Sequence, residues 1–588
     1  MGQLQPLDLV DFTGGLNVNR TEFNLADNES PAMLNVEIDP RGGIFTRFGW
    51  GRYSGEDIIA DPEAWDPRIA SMAVDESGGY RVYVANGSTV YECLADGSSS
   101  DIDVLVGGSS HLADFAEWGN YVYIAAGLDN QSHKHKSNSA ATPLGRAYND
   151  DYTTPAGGNV PQSEHIEAHG SYLFVASVEE VVNVNNTGSG VQRSRLRWSH
   201  PSQPEDWATN DYIDIEEGGG TITGLMSFRD HLLIFKTESI WALYGYSSES
   251  FQLIKVSRSV GVPTPAAITR SERAVYFYSA SQRGGIFAYD GDSPVSVSQK
   301  ISRVLESVSS SAYQNVWLGW VGRRLWCSLP FDESGNTGVQ SVFVLAPQTG
   351  DGAWVRHKPH TGNLVCFVEG SDVGSLPAIA FIDGTAGTAT AVNLGAINGA
   401  YDTIWKADHY AEFLTDADGN KLVESESGDP VFLVGSEDVA AGAGFDTLYR
   451  TRWLHAGWPE RRKSFRRPRF ALQRQSEDVM VNVATNWDYN DSAPKRTHSV
   501  GIGADGTFFW RAGGASANGG FDWSDGTEWG AAASGSGLKR STDPDEHLGG
   551  LGVARAIQLE FSTSALTPGK KWGINAMFLK YILRRYTT

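Results

Sequence analysis

One unit of pattern recurs along the first two thirds of this 588-residue chain: a strand, a short turn, then a second strand rich in aromatic residues. It is plainest at 69–94, 112–127, 166–177, 222–243, 267–289 and 316–330, and weaker at 364–382. The starts lie 43, 54, 56, 45, 49 and 48 residues apart. Propeller blades of four strands repeat at roughly 40–50 residues. A lone four-stranded sheet cannot bury both of its faces. Sheets packed face to face around an axis cover one another and leave only short edges exposed. The segments IWALY (Ile240–Tyr244) and AVYFYSA (274–280) carry apolar residues on both faces, as packing between blades requires. The competing reading is a row of β-sandwich modules whose spacing is accidental.

The predicted fold is therefore all-β: a β-propeller with an appended antiparallel β-sandwich domain and few short helices. Sixty-six glycines and 11% aromatic residues suit short strands and tight turns. Residues 1–60 are assigned as leader strands and a hairpin, 61–395 as the propeller, 396–445 as a linker or surface excursion, and 446–588 as the sandwich. In the leader, Ser30-Pro31 predicts a capped helical turn over 32–35. Asp39-Pro40-Arg41-Gly42-Gly43 predicts the turn of a hairpin over 36–53. The leader either completes a blade or braces the ring. A helix is predicted over 299–313, where Ile301, Val304, Leu305 and Val308 form one apolar stripe. It should connect two blades. Residues 383–445 hold few large hydrophobic side chains. In the last domain AIQLEF points Ile557, Leu559 and Phe561 inward and Gln558 and Glu560 outward. A Gly- and Ser-rich loop over 499–545 carries Trp510, Trp523 and Trp529.

The formal charge is −23, with 70 acidic and 47 basic residues. Such a surface is a poor candidate for wrapping nucleic acid, which needs basic groups against phosphate. Cys93, Cys327 and Cys366 are too sparse for a disulfide framework or a zinc site and should sit in strands as small apolar residues. No signal peptide and no membrane span are expected.

Motifs that carry chemistry are scarce. SDGTEW (524–529) has the residues of an Asp-box turn without its spacing, and reads as a plain turn. DADGN (416–420) opens like a calcium loop, but the twelfth position is Ser427, and a hairpin turn is the better reading. HKHK (133–136) offers two imidazoles without a third ligand and reads as an exposed loop. GxSxG, HExxH and Walker A patterns are absent. No catalytic, metal or cofactor-binding residue is assigned, no cofactor is expected, and the chain is read as not an enzyme. Two carboxylates in an aromatic-lined pocket at the propeller axis would instead favour a glycosidase.

The basic cluster carries more weight. Arg450, Arg452, Arg461, Arg462, Lys463, Arg466, Arg467, Arg469 and Arg474 lie within 25 residues, against Glu460 alone. Three readings stand: docking to the acidic face of a neighbouring subunit, contact with DNA, and strand arginines paired with internal acids. The first makes Arg461, Arg462, Lys463, Arg466, Arg467 and Arg469 interface residues.

Three groups of residues resemble a known family. FTGGLN (12–17) with LADNESPAMLNVEIDPRGGIFTRFG (25–49) resembles the opening of phage tail nozzle and head–tail stabilisation proteins (tail tubular protein B-like). Residues 228–291 resemble their propeller segment. KSFRRPRF, ARAIQLEF and KKWGINAMFLKYILRRY resemble their ending. The resemblance touches about half of the chain and implies a virion protein made in the bacterial cytoplasm. It would form a ring, a homohexamer, at the distal end of the tail tube. Its partners would be copies of itself, an adaptor or tube protein, and tail fibres or spikes, with viral DNA passing unbound. The alternative is a receptor- or carbohydrate-binding propeller.

Overall fold

The computed structural model describes residues 3–47, 51–52, 59–60, 67–74, 80–86, 89–94, 99–105, 113–136, 141–144, 146–148, 162–180, 190–208, 210–217, 220–281, 284–330, 340–346, 352–358, 363–369, 378–383, 388–393, 445–466, 468–472, 479–490, 494, 496–502, 508–511, 539–541, 551–566 and 572–584. By contact, residues 52–342 and 361–398 form one unit, and 1–51, 343–360 and 399–588 form the other.

The first unit is a propeller. Antiparallel sheets succeed one another along the chain, opening with Pro67–Val74, Asp114–Trp118, Gln162–His169, Ile222–Phe228, Ile268–Arg270, Trp317–Val321 and Asn363–Glu369. We number these blades one to seven. Each opening strand touches the opening strand of the next blade, and Asn363–Glu369 touches Pro67–Val74, so the ring is closed. Blade seven continues with Ala378–Asp383 and Thr388–Asn393, and Ile59–Ala60 pairs with the last of these. Thr388–Asn393 ends just short of the boundary placed at 395 between propeller and excursion.

Strand alternation builds the core. Val122 and Ile124 pack with blade one, alongside Tyr83, Val90 and Ile102. The intervening Tyr123 and Ala125 pack with blade three, against Ile166, Leu173 and Val175. Phe174 and Leu196 of blade three meet Leu225, Leu232 and Ile234 of blade four in the same way. Each fully buried side chain of this size contributes ~1.5–3 kcal/mol. The recurring hairpin also has a shared turn. Trp118 pairs with Tyr121, His169 with Tyr172, Phe228 with His231, and Val321 with Arg324, leaving two residues in each loop. The φ of Gly119 is 61° and that of Gly170 is 58°, as tight hairpin turns require.

The helix expected over 299–313 is broken into Gln299–Ile301, Ser302–Leu305 and Ser310–Asn315, with 3-10 turns on either side of one α turn. Its apolar stripe holds: Ile301, Val304, Leu305 and Val308 are all buried. It links blades five and six. No helix among the described residues is long and apolar enough to cross a membrane.

The second unit is the sandwich. One sheet runs Gly552–Ala554, Lys463–Phe465, Gly573–Leu583, Ile44–Thr46 and Val36–Ile38, with Leu4–Leu9 and Arg469–Leu472 also on Gly573–Leu583. The other runs Ala32–Leu34, Phe445–Arg450, Ile557–Leu566, Val479–Trp487, Arg496–Ile502, Phe508–Arg511 and Lys539–Ser541. Phe470 meets Phe561 edge-on between them, with ring centres 5.3 Å apart. Trp572 Nε1 donates to Thr447 Oγ1 at 3.0 Å. The leader thus supplies strands to both sheets.

Two local expectations fail for this reason. Residues 32–34 form a strand on Phe445–Arg450, not a helical turn, and Ser30 Oγ donates to Arg450 O at 2.7 Å. Gln558, expected to face solvent, is fully buried because the leader covers that face, and its Nε2 donates to Glu22 Oε2 at 3.0 Å. The hairpin turn at 39–43 is as expected, with Asp39 N donating to Gly43 O at 2.8 Å. Asp416–Asn420, SDGTEW, Trp523 and Trp529 lie outside the described residues.

Candidate functional sites: the arginine cluster and the propeller axis

The arginine cluster divides by environment. Arg450 is half-buried and pairs with Glu560 at 2.7 Å. Arg452 pairs with Asp27 of the leader. These two follow the internal-pairing reading. Lys463 corrects the interface assignment: it lies on the inward side of its strand and is fully buried. Its Nζ donates to the carbonyls of Trp458, of Arg461 at 2.8 Å and of Arg555 at 2.6 Å. Burial lowers its pKa to about 8, with Arg461 adding to the effect and Asp488 opposing it. Arg461 is half-buried, lies 5.5 Å over the ring of Trp458, and donates to Arg584 O at 3.4 Å. Arg462 and Arg466 are exposed. Arg467 and Arg474 lie outside the described residues, and Arg469 is placed by its backbone alone, opposite Phe578.

A second cluster was not found by sequence reasoning. It lies where the opening strands of blades two to six end, beside the propeller axis. Arg270 of blade five reaches Glu167 of blade three, with Nη1 3.9 Å from Oε1. The same guanidinium donates to Ser227 O of blade four at 3.1 Å. Ser227 N donates to Glu167 Oε1 at 3.1 Å, and His169 Nδ1 lies 2.8 Å from Ser227 Oγ. Desolvation raises the Glu167 carboxyl to about 7; Arg270 opposes this, and Asp114 and Glu117 reinforce it. Glu117 of blade two is raised to about 6, again by desolvation and against the pull of Arg270. Glu117 keeps surface open to solvent, yet the strands around it strip away much of its water. Trp320 of blade six stacks on Tyr276 of blade five, with ring centres 5.3 Å apart. The signal was present but faint: Glu117, Glu167, Ser227, Arg270 and Trp320 each lie just before the turn of a repeat, in five different repeats.

The two histidines of HKHK are not in an exposed loop. His133–His135 is the third strand of blade two. His135 is buried, with Nδ1 3.0 Å from Tyr83 Oη, and Tyr83 in turn contacts Glu92, which Arg81 pairs at 2.5 Å. This network joins blades one and two. Among the described residues no group of three or more His, Cys, Asp or Glu side chains could hold a metal ion. Cys327 and Cys366 are buried and not disulfide-bonded, and burial pushes the Cys327 thiol far up.

No protein-family model and no curated protein matches the sequence. Among solved structures, a streptogramin B lyase is similar over 58% of this chain and 97% of its own, at 12% identity and a TM-score of 0.33. Virginiamycin B lyase from Staphylococcus aureus is similar over 57% and 97%, at 10% identity and 0.35. The Pan2 WD40 domain of Neurospora crassa is similar over 60% and 96%, at 8% identity and 0.35. Likeness at these levels says nothing about activity. The class is set by the molecule's own topology: a closed β-propeller carrying a β-sandwich built from both ends of the chain.

Proposed function

We propose that this chain is a structural protein of a bacteriophage tail, a ring subunit of the nozzle through which DNA leaves. What carries the reading is the family resemblance at the two chain ends, whose residues are structural ones within a single unit. Phe12 of FTGGLN packs edge-on to Tyr449 at 5.7 Å. Gly15 has a φ of 67°, and a Cβ there would lie 2.7 Å from Trp354 O, so the GG pair is fixed by close approach. KSFRRPRF, ARAIQLEF and KKWGINAMFLKYILRRY supply neighbouring strands of the same sandwich.

DNA would pass through the ring of subunits and not along the propeller's own axis. That axis is narrow enough for Arg270 to approach Glu167 two blades away at 3.9 Å. The mechanism is mechanical and electrostatic. The propeller unit holds 38 acidic and 20 basic residues, a net −18 of the chain's −23. Acidic walls repel phosphate, so a duplex slides with few contacts to break. Negative-stain imaging of the purified full chain should show closed rings with an open centre. Particles of single-chain size at every concentration would remove the nozzle reading.

The Glu117–Glu167 pair favours one second reading, a carbohydrate-processing propeller, because two carboxyls with raised pKa beside a guanidinium are parts such a site uses. Its test is separate. Turnover of host polysaccharide by the wild type, abolished in Glu167→Gln, would establish it. No turnover is expected.

A further inference from the structure

We infer that the outer face of the sandwich sheet centred on Gly573–Leu583 is a docking surface for the acidic propeller of a second copy of this chain. The inference deepens the ring-assembly reading above and rests on it.

The face follows from register. Ser464 pairs with both Val553 and Ile582, and Ile582 pairs with Leu4, so these four side chains form one row across four strands. Leu4 is exposed, and Val553, Ser464 and Ile582 are half-buried. Residues two positions away share the face. On one side of the row Arg462 lies opposite Arg584, whose N–H donates to Arg462 O at 3.0 Å. On the other side Arg466 lies opposite Lys580, joined by Arg466 N to Lys580 O at 2.8 Å. All four cationic residues are exposed, and no ion pair joins any of them to another described residue. Like charges placed directly across a strand pair destabilise it, and here this happens twice, four residues apart. Among the described residues of these four strands the one acid, Asp8, lies opposite Phe578, beyond the Lys580–Pro6 pair.

An apolar row between two cationic rows has the anatomy of a protein interface, with an apolar centre and a charged rim. Nucleic acid would use the charges but not the aliphatic row. The partner must be acidic, and the propeller unit of the same chain, with 38 acids against 20 basic residues, is an acidic surface present at equal concentration. Sequence reasoning found Arg462 and Arg466. It missed Lys580 and Arg584, which are remote in sequence and are brought alongside by the strand pairing.

The test is sedimentation velocity on the full chain over a concentration and salt series. Wild type should self-associate, and added salt should weaken the association. Arg462→Glu with Arg466→Glu should weaken it about tenfold or more, since like charges then meet across the contact. Arg462→Gln with Arg466→Gln should weaken it less, and guards against misfolding of the reversal. Arg41→Glu, in the exposed turn of the leader hairpin, should leave it unchanged. Undiminished association in both double variants would overturn this surface and leave ring assembly standing. A monomeric wild type would overturn both. A monomeric wild type whose salt-sensitive binding to duplex DNA is lost in the same variants would assign the face to a polyanion.

Discussion

Two ionisable residues, Lys463 fully buried and Glu167 half-buried, do opposite work. Lys463 ties the turn before its own strand to Arg555 through three carbonyl oxygens. Lys463→Met should cost about 2–3 kcal/mol in urea unfolding, because it strands carbonyls that a charged donor now satisfies. Glu167 instead resists its own charge. Its pKa rises from 4.5 to about 7, so the folded state keeps a proton that the unfolded chain has already released. Stability from this group is complete below about 4.5 and declines as pH rises through about 7. Glu167→Gln should therefore change thermal stability little near about pH 5 and raise it near about pH 8, by up to ~3 kcal/mol. A variant that loses stability equally at both values would show that the carboxylate is held charged by Arg270.

At the scale of elements, the blades are set as much by what is missing as by what is buried. Gly319, in the opening strand of blade six, faces blade seven so closely that a Cβ would lie 2.1 Å from Phe367 Cβ. Gly319→Ala should cost roughly 1–3 kcal/mol by forcing the two opening strands apart, measurable as a lowered midpoint of unfolding. The strand–turn–strand hairpin was legible because its turn needs particular residues and its strands alternate. The helical stripe at Ile301, Val304, Leu305 and Val308 was legible in burial but not in form, since one α turn flanked by 3-10 turns buries the same residues. The fate of Gln558 was not legible. A polar residue between two apolar ones reads as outward, and only the arrival of Glu22, more than five hundred residues earlier in the chain, makes it an inner one. The axial acids were hidden for a related reason: their place before each turn was visible, but their proximity across repeats leaves no trace in local pattern.

At the scale of the whole molecule, both units are completed by segments remote from each other in the chain. The sandwich pairs Leu4–Leu9 with Gly573–Leu583, and blade seven pairs Ile59–Ala60 with Thr388–Asn393. Contacts of such sequence separation form late, since closing a long loop must precede any gain from it. During synthesis, Ile59–Ala60 emerges early and waits for its partner until the ribosome has passed Asn393. Through that interval the blades are an open row with two uncovered apolar faces, each able to pack against a neighbouring polysome's chain. Slow translation before residue 388 should therefore raise aggregation more than an equal pause after residue 393.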